Sequence, residues 1–90
     1  MKYKLRMFGS SDCEKCSKAR EALDLLVKYD YIDGNADDTQ DLCDFHDVDQ
    51  MPHYQIVENR TNRVVHEEIQ PSDLSNLLVR LTELNKQKLA

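Results

Sequence analysis

Glycine and proline are scarce in this chain, two of each among 90 residues. They gather into no Pro/Gly/Ser-rich stretch, and neither repeats nor low-complexity tracts divide the sequence. Without a linker to split it, the chain 1–90 reads as one domain with a modest core. Long apolar runs are missing too: no segment approaches the roughly 18 apolar residues of a membrane span. The opening Met1-Lys2-Tyr3-Lys4-Leu5-Arg6-Met7-Phe8 is too short and too charged for a secretory leader. The expectation is a cytoplasmic protein, off the membrane. Cationic excess is also lacking, since 12 Lys and Arg face 17 Asp and Glu for a net charge of -5. That balance argues against nucleic acid as a partner. Three cysteines are too few for a disulfide scaffold. In a reducing compartment they read as a reactive pair or as ligands.

What is present is a clear sequence of periodicities. Tyr3, Leu5 and Met7 alternate with charged residues and Phe8 follows, which predicts a first strand with one face in the core. Gly9-Ser10-Ser11-Asp12 is a turn, with Ser11 or Asp12 as the expected helix cap. From about Glu14 to Lys28, Cys16, Ala19, Leu23 and Leu26 recur at helical spacing, broadened by Ala22 and Val27. Tyr29–Asp33 predicts a second strand, ended by Gly34-Asn35. Thr39–Val48 predicts a second helix resting on Leu42, Phe45 and Val48. Met51-Pro52 introduces a third strand, His53–Val57, with Arg63–Ile69 as its hairpin partner after a turn. Pro71 and Ser72 or Asp73 open a last helix striped by Leu74, Leu77, Leu78, Leu81 and Leu84. Two early strands joined by a helix favour a parallel crossover, and the later pair an antiparallel hairpin. The expected fold is therefore α/β, β-α-β-α-β-β-α around a four-stranded mixed sheet. This order brings the Cys13 end of the first strand beside the loop that holds Met51-Pro52.

The informative motif is Cys13-Glu14-Lys15-Cys16 at the first strand-to-helix junction. Two thiols at this spacing reach each other across one helical turn. Cys13 falls at the helix start, where unpaired backbone N–H groups favour a thiolate. Lys15 can assist if it turns back toward the sulfur, whereas Asp12 and Glu14 oppose the charge. Cys13 is thus the expected nucleophile, and Cys16, on the buried side of the first turn, the resolving thiol. A small thiol such as glutathione can take the resolving role instead. A metal site and an inert pair are the competing readings.

These residues resemble the glutaredoxin branch of the thioredoxin-like fold over nearly the whole chain. The likeness rests on Cys13-Glu14-Lys15-Cys16 after the first strand, Met51-Pro52 before the third, and Ile69-Gln70-Pro71-Ser72-Asp73-Leu74 before the last helix. It implies a thiol–disulfide oxidoreductase and a cis Pro52 facing the thiols. It also implies that the Met51 backbone pairs with an extended substrate. Glutathione becomes the expected co-substrate, with Ser72 and Asp73 holding its γ-glutamyl end and Gln40 approaching its glycyl carboxylate. No tightly bound cofactor is implied. The expected partners are a disulfide-bearing protein, such as ribonucleotide reductase, and glutathione or a thioredoxin reductase as electron donor, with the chain acting as a monomer. The chain departs from the family pattern at Glu14-Lys15, where Pro-Tyr is usual. Ser10 stands where a lysine is common, and Gln70-Pro71 replaces a Gly-Gly pair.

The alternative is a thioredoxin-like binding module, or one holding a metal or iron–sulfur group, with little turnover. Cys13, Cys16, Cys43 and His46 make a C-x2-C…C-x2-H pattern that four-coordinate zinc would accept. It requires the first two helices to converge at one point, so Cys43 reads more simply as a small core residue and His46 as a solvated one. Asp33, Asn35 and Asp37 imitate the start of a calcium loop. Asp38 occupies the glycine position and Asp44 the final glutamate position, so the acidic stretch reads as a solvated surface. His53 is expected on a surface strand, while Tyr54, Ile56, Val64 and the leucines of the last helix are assigned to packing.

Overall fold

The computed structural model describes residues 2–86. Strand β1 (Tyr3–Gly9) leads to helix α1 (Glu14–Leu26) and strand β2 (Tyr29–Asp33). A 3₁₀ turn (Asp37–Thr39) runs into the short helix α2 (Gln40–Phe45), followed by strands β3 (His53–Glu58) and β4 (Val64–Ile69) and helix α3 (Ser75–Lys86). The sheet order is β2-β1-β3-β4. β1 and β2 are parallel with Leu5 opposite Tyr29, and α1 is their crossover. β3 runs antiparallel to β1 with Phe8 opposite His53, and β4 runs antiparallel to β3. That register carries the chain leaving β1 toward Cys13 past the chain entering β3 from Pro52.

The two faces of the central strands bury different chemistry because side chains alternate along a strand. Tyr3, Leu5 and Met7 of β1 join Tyr54 and Ile56 of β3 in one apolar cluster with Cys16 and Leu23 of α1 and Leu77 and Leu81 of α3. The opposite face carries Arg6, His53 and Gln55, all buried, beside Phe8 and Val57. There Arg6 Nη1 donates to Gln55 Oε1 at 3.1 Å, and Gln55 Nε2 donates to Glu67 Oε2 at 3.1 Å. His53 Nε2 bonds the same carboxylate oxygen at 2.7 Å. Phe8 lies over this network with its ring tilted against His53 and against His46 at the end of α2.

Several expectations are corrected here. His53 is not a surface residue: it is 2% exposed and tied to Glu67. The bond at Nε2 makes burial tolerable, since a buried polar group without a partner costs stability. His46 is half-buried against Phe8, and burial, with Arg6 nearby, lowers its pKa. Leu26 is 64% exposed. The chain leaves helical geometry at Val27 (φ -158°, ψ 153°), and Val27 packs on the core in its place. Phe45 is 80% exposed, set edge-on to His46. Helix α2 stops there because Asp47 takes φ 54°, with Val48 N–H bonding Cys43 O at 2.9 Å and Asp47 N–H bonding Asp44 O at 3.2 Å. That pattern is a Schellman C-cap. At the last helix, Asp73 Oδ1 accepts from Ser75 N–H at 2.8 Å, and regular helix begins only at Ser75.

Candidate active site

The cap of α1 is Cys13 itself, not Ser11 or Asp12: its sulfur accepts the Cys16 backbone N–H at 3.1 Å. The side chains expected to cap are engaged elsewhere. Ser10 Oγ accepts from Asp12 N–H at 3.1 Å, and the Asn35 amide reaches Ser10 Oγ at 2.9 Å and Asp12 Oδ2 at 3.4 Å. These bonds pin the turn between β1 and α1 to the end of β2. Cys13 and Cys16 are joined as a disulfide, with Cα atoms 5.2 Å apart. Cys13 is half-buried at the rim and Cys16 is fully buried among the apolar cluster. This asymmetry gives an incoming sulfur access to Cys13 and denies it to Cys16.

Met51-Pro52 sits directly opposite. The Met51–Pro52 bond is cis, and Met51 O lies 3.9 Å from Cys13 Sγ. Two glycines make room for this approach. A Cβ at Gly9 would come within 2.9 Å of Tyr31 Cε1 and 3.4 Å of Cys16 Cβ, while a Cβ at Gly34 would collide with Met51 Cε. Gln70 closes the far side. It has φ 46°, its N–H donates to Pro52 O at 2.9 Å, and its side-chain amide donates to Met51 O at 2.9 Å. Gln70, which the sequence offered only as a replaced glycine, therefore occupies the carbonyl nearest Cys13.

A groove of about 400 Å³ opens beside the pair, lined by Lys15, Lys18 and Ala19 of α1, by Pro52 and Tyr54, and by the segment 70–74. Of the residues expected in a substrate groove, Lys15, Pro52, Ser72 and Asp73 meet here, and Met51 is adjacent through Pro52. Gln40 does not line it; its amide donates to Asp44 Oδ1 at 3.0 Å at the start of α2. A larger depression lies along Lys4, Arg20, Lys28 and the β2 edge, and no cysteine lines it.

Cys43 is a free, buried thiol, and burial, with Asp44 nearby, raises its pKa. It lines a small acidic hollow with Asp44, Asp47 and Asp49. Among the described residues, no three His, Cys, Asp or Glu side chains are grouped to hold a metal ion. Likewise, no helix among them is long and apolar enough to cross a membrane.

No protein-family model matches the chain, and no curated protein matches it. Solved structures do. Thioredoxin f2 of Chlamydomonas reinhardtii superposes with a TM-score of 0.79 at 14% identity, covering 97% of this chain and 82% of that one. Thioredoxin O2 of Arabidopsis thaliana in the oxidized state gives 0.73 at 15% identity, covering 94% and 76%. A Plasmodium falciparum thioredoxin gives 0.70 at 20% identity, covering 91% and 70%. With a four-stranded mixed sheet flanked by helices and a Cys-x-x-Cys pair at the first strand-to-helix junction, the chain has the thioredoxin-like fold.

Proposed function

We propose that the protein is a thiol–disulfide oxidoreductase of glutaredoxin type. The observation that carries this is the asymmetric pair itself: a half-exposed Cys13 capping α1, bonded to a buried Cys16, next to the groove lined by Lys15 and Pro52. In the reduced form, the Cys16 N–H and the helix N-terminus favour a Cys13 thiolate. The thiolate attacks one sulfur of a substrate disulfide. The S–S bond breaks, and the departing substrate sulfur leaves as a thiolate that takes a proton from water. Cys16, deprotonated in turn, attacks the Cys13 sulfur of the mixed disulfide and releases the second substrate thiol. The substrate has gained two electrons and two protons, and the chain holds the Cys13–Cys16 disulfide. Glutathione or a thioredoxin reductase returns the electrons. The proposed client is a disulfide-bearing protein such as ribonucleotide reductase, and the chain acts as a cytoplasmic monomer.

Met51 is the proposed backbone partner of the substrate, with Ser72 and Asp73 on the opposite wall. Gln70 already donates to Met51 O, so a substrate N–H takes that carbonyl's second lone pair or displaces Gln70. The test is a disulfide-reduction assay run separately with glutathione and with thioredoxin reductase as donor. Cys13→Ser should abolish turnover with both. Cys16→Ser should lose reduction of protein disulfides while retaining glutathione-dependent reduction of a glutathione mixed disulfide. Turnover by Cys13→Ser equal to that of the unaltered chain would refute the assignment.

A further inference from the structure

The groove beside Cys13 contains a polar atom that packing does not explain. Tyr54 is 1% exposed and lines the groove, with its ring in the apolar cluster of β1, α1 and α3. Its hydroxyl makes no hydrogen bond among the described residues. The cavity that Tyr54 lines is this groove. Buried tyrosines ordinarily find a partner for the hydroxyl. Burial, with Tyr29 nearby, pushes the Tyr54 pKa up to about 12, so the group stays a neutral donor.

The charges around it are unevenly committed. Lys18 pairs with Glu14 at 3.3 Å, and Asp12 is held by Asn35. Asp73 accepts the Ser75 N–H through Oδ1 and keeps its charge on the groove's other wall. Lys15, on the same wall as Lys18, has no ion pair among the described residues. Beside the Asp73 carboxylate, the groove therefore holds one cation without an ion pair and one neutral donor without a hydrogen bond among the described residues, in a chain whose net charge is -5. Both are hydrogen-bond donors suited to an oxyanion.

Taking the reactive Cys13 as given, we infer that Lys15 and Tyr54 form a carboxylate subsite, and that the preferred substrates are protein disulfides with an Asp or Glu flanking the attacked cysteine. The overall negative charge slows encounter with acidic chains in general, so selection for them must come from this local contact and not from long-range attraction. The inference extends the proposed function and can fail without it.

The test uses two peptide disulfides that differ only in Glu or Gln beside the reacting cysteine. The readout is the ratio of kcat/KM between them, with glutathione disulfide run in parallel. The unaltered chain should favour the Glu peptide by about tenfold at low salt, the lower end of what a hydrogen bond to a charged group supplies. The ratio should shrink as sodium chloride is raised. Tyr54→Phe, which keeps the ring in the core, and Lys15→Gln should each reduce the ratio several-fold, and together bring it near one. A ratio near one in the unaltered chain overturns the subsite while leaving the oxidoreductase intact. So does a ratio that neither substitution changes, or a dependence on Tyr54 confined to glutathione disulfide. Failure to reduce any of these disulfides refutes the oxidoreductase reading and the subsite with it.

Discussion

Glu67→Ala removes one carboxylate and leaves two buried donors without their acceptor. Glu67 Oε2 takes bonds from His53 Nε2 at 2.7 Å and Gln55 Nε2 at 3.1 Å. Both donors belong to residues sealed between the central strands and the covering side chains, and His53 Nδ1 already lacks a partner. A buried polar group stripped of its partner costs about 1–3 kcal/mol, so two would cost about 2–6 kcal/mol. Glu67 is itself an exposed residue. Water can enter the space it leaves, which puts the expected loss at the low end, about 2 kcal/mol. The carboxylate's lowered pKa agrees with this geometry. Burial alone would raise it, and the bonds from Gln55 and His53 together with the nearby His46 outweigh that burial. The assay is urea unfolding followed by far-UV circular dichroism. With a slope near 1 kcal/mol per molar urea for a chain of this size, the midpoint should fall by about 2 M. Glu67→Gln keeps one acceptor oxygen and should lose about half as much. A loss under about 0.5 kcal/mol in Glu67→Ala would mean that the network contributes no more than an ordinary surface position, and the reasoning would fail.

Acid should destabilise the protein in two stages. His46 has a folded pKa below its ordinary 6.5, set by burial and then by Arg6, so the unfolded chain binds more protons and stability falls as pH drops through about 6.5. Glu67 has a folded pKa below its ordinary 4.5, and its contribution, present above that value, is lost as pH falls further through the folded pKa. Urea midpoints from pH 7.5 to 3.5 check both, and a midpoint that rises between pH 7 and 5.5 would contradict the His46 assignment. On α1, Leu23→Ala should cost about 2–5 kcal/mol because Leu23 is fully buried in the apolar cluster. Leu25→Ala, two positions away and exposed, should stay within about 0.5 kcal/mol. Equal losses in the same unfolding assay would mean the helix face is misassigned.

Much of the site was legible in sequence because its determinants are local. Cys13 and Cys16 are three residues apart at a strand-to-helix junction, and Met51-Pro52 stands immediately before an apolar strand. Ser72 and Asp73, which the family resemblance assigns to the γ-glutamyl end of glutathione, line the same groove as Lys15. The misreadings arose where a residue's surroundings come from distant parts of the chain. His53 and Gln55 alternate with Tyr54 and Ile56, a pattern that reads as one dry face and one wet one. The register places Glu67 beside Gln55 and Phe8 beside His53, which makes the second face a buried polar layer. Phe45 is expected to pack because it shares an apolar stripe with Leu42 and Val48 on a helix running to Val48, but the left-handed turn at Asp47 ends α2 at Phe45.

By itself, then, the amino-acid order determined the elements, the parallel crossover and the thiol pair, because strand and helix periods, turn residues and a three-residue spacing act within one or two turns of chain. Tertiary structure decided which sulfur is reachable, which carbonyl Gln70 covers, which histidine is buried, and that Tyr54 lines the groove. Those properties depend on strand register and on contacts between residues far apart in the chain, which no local pattern encodes.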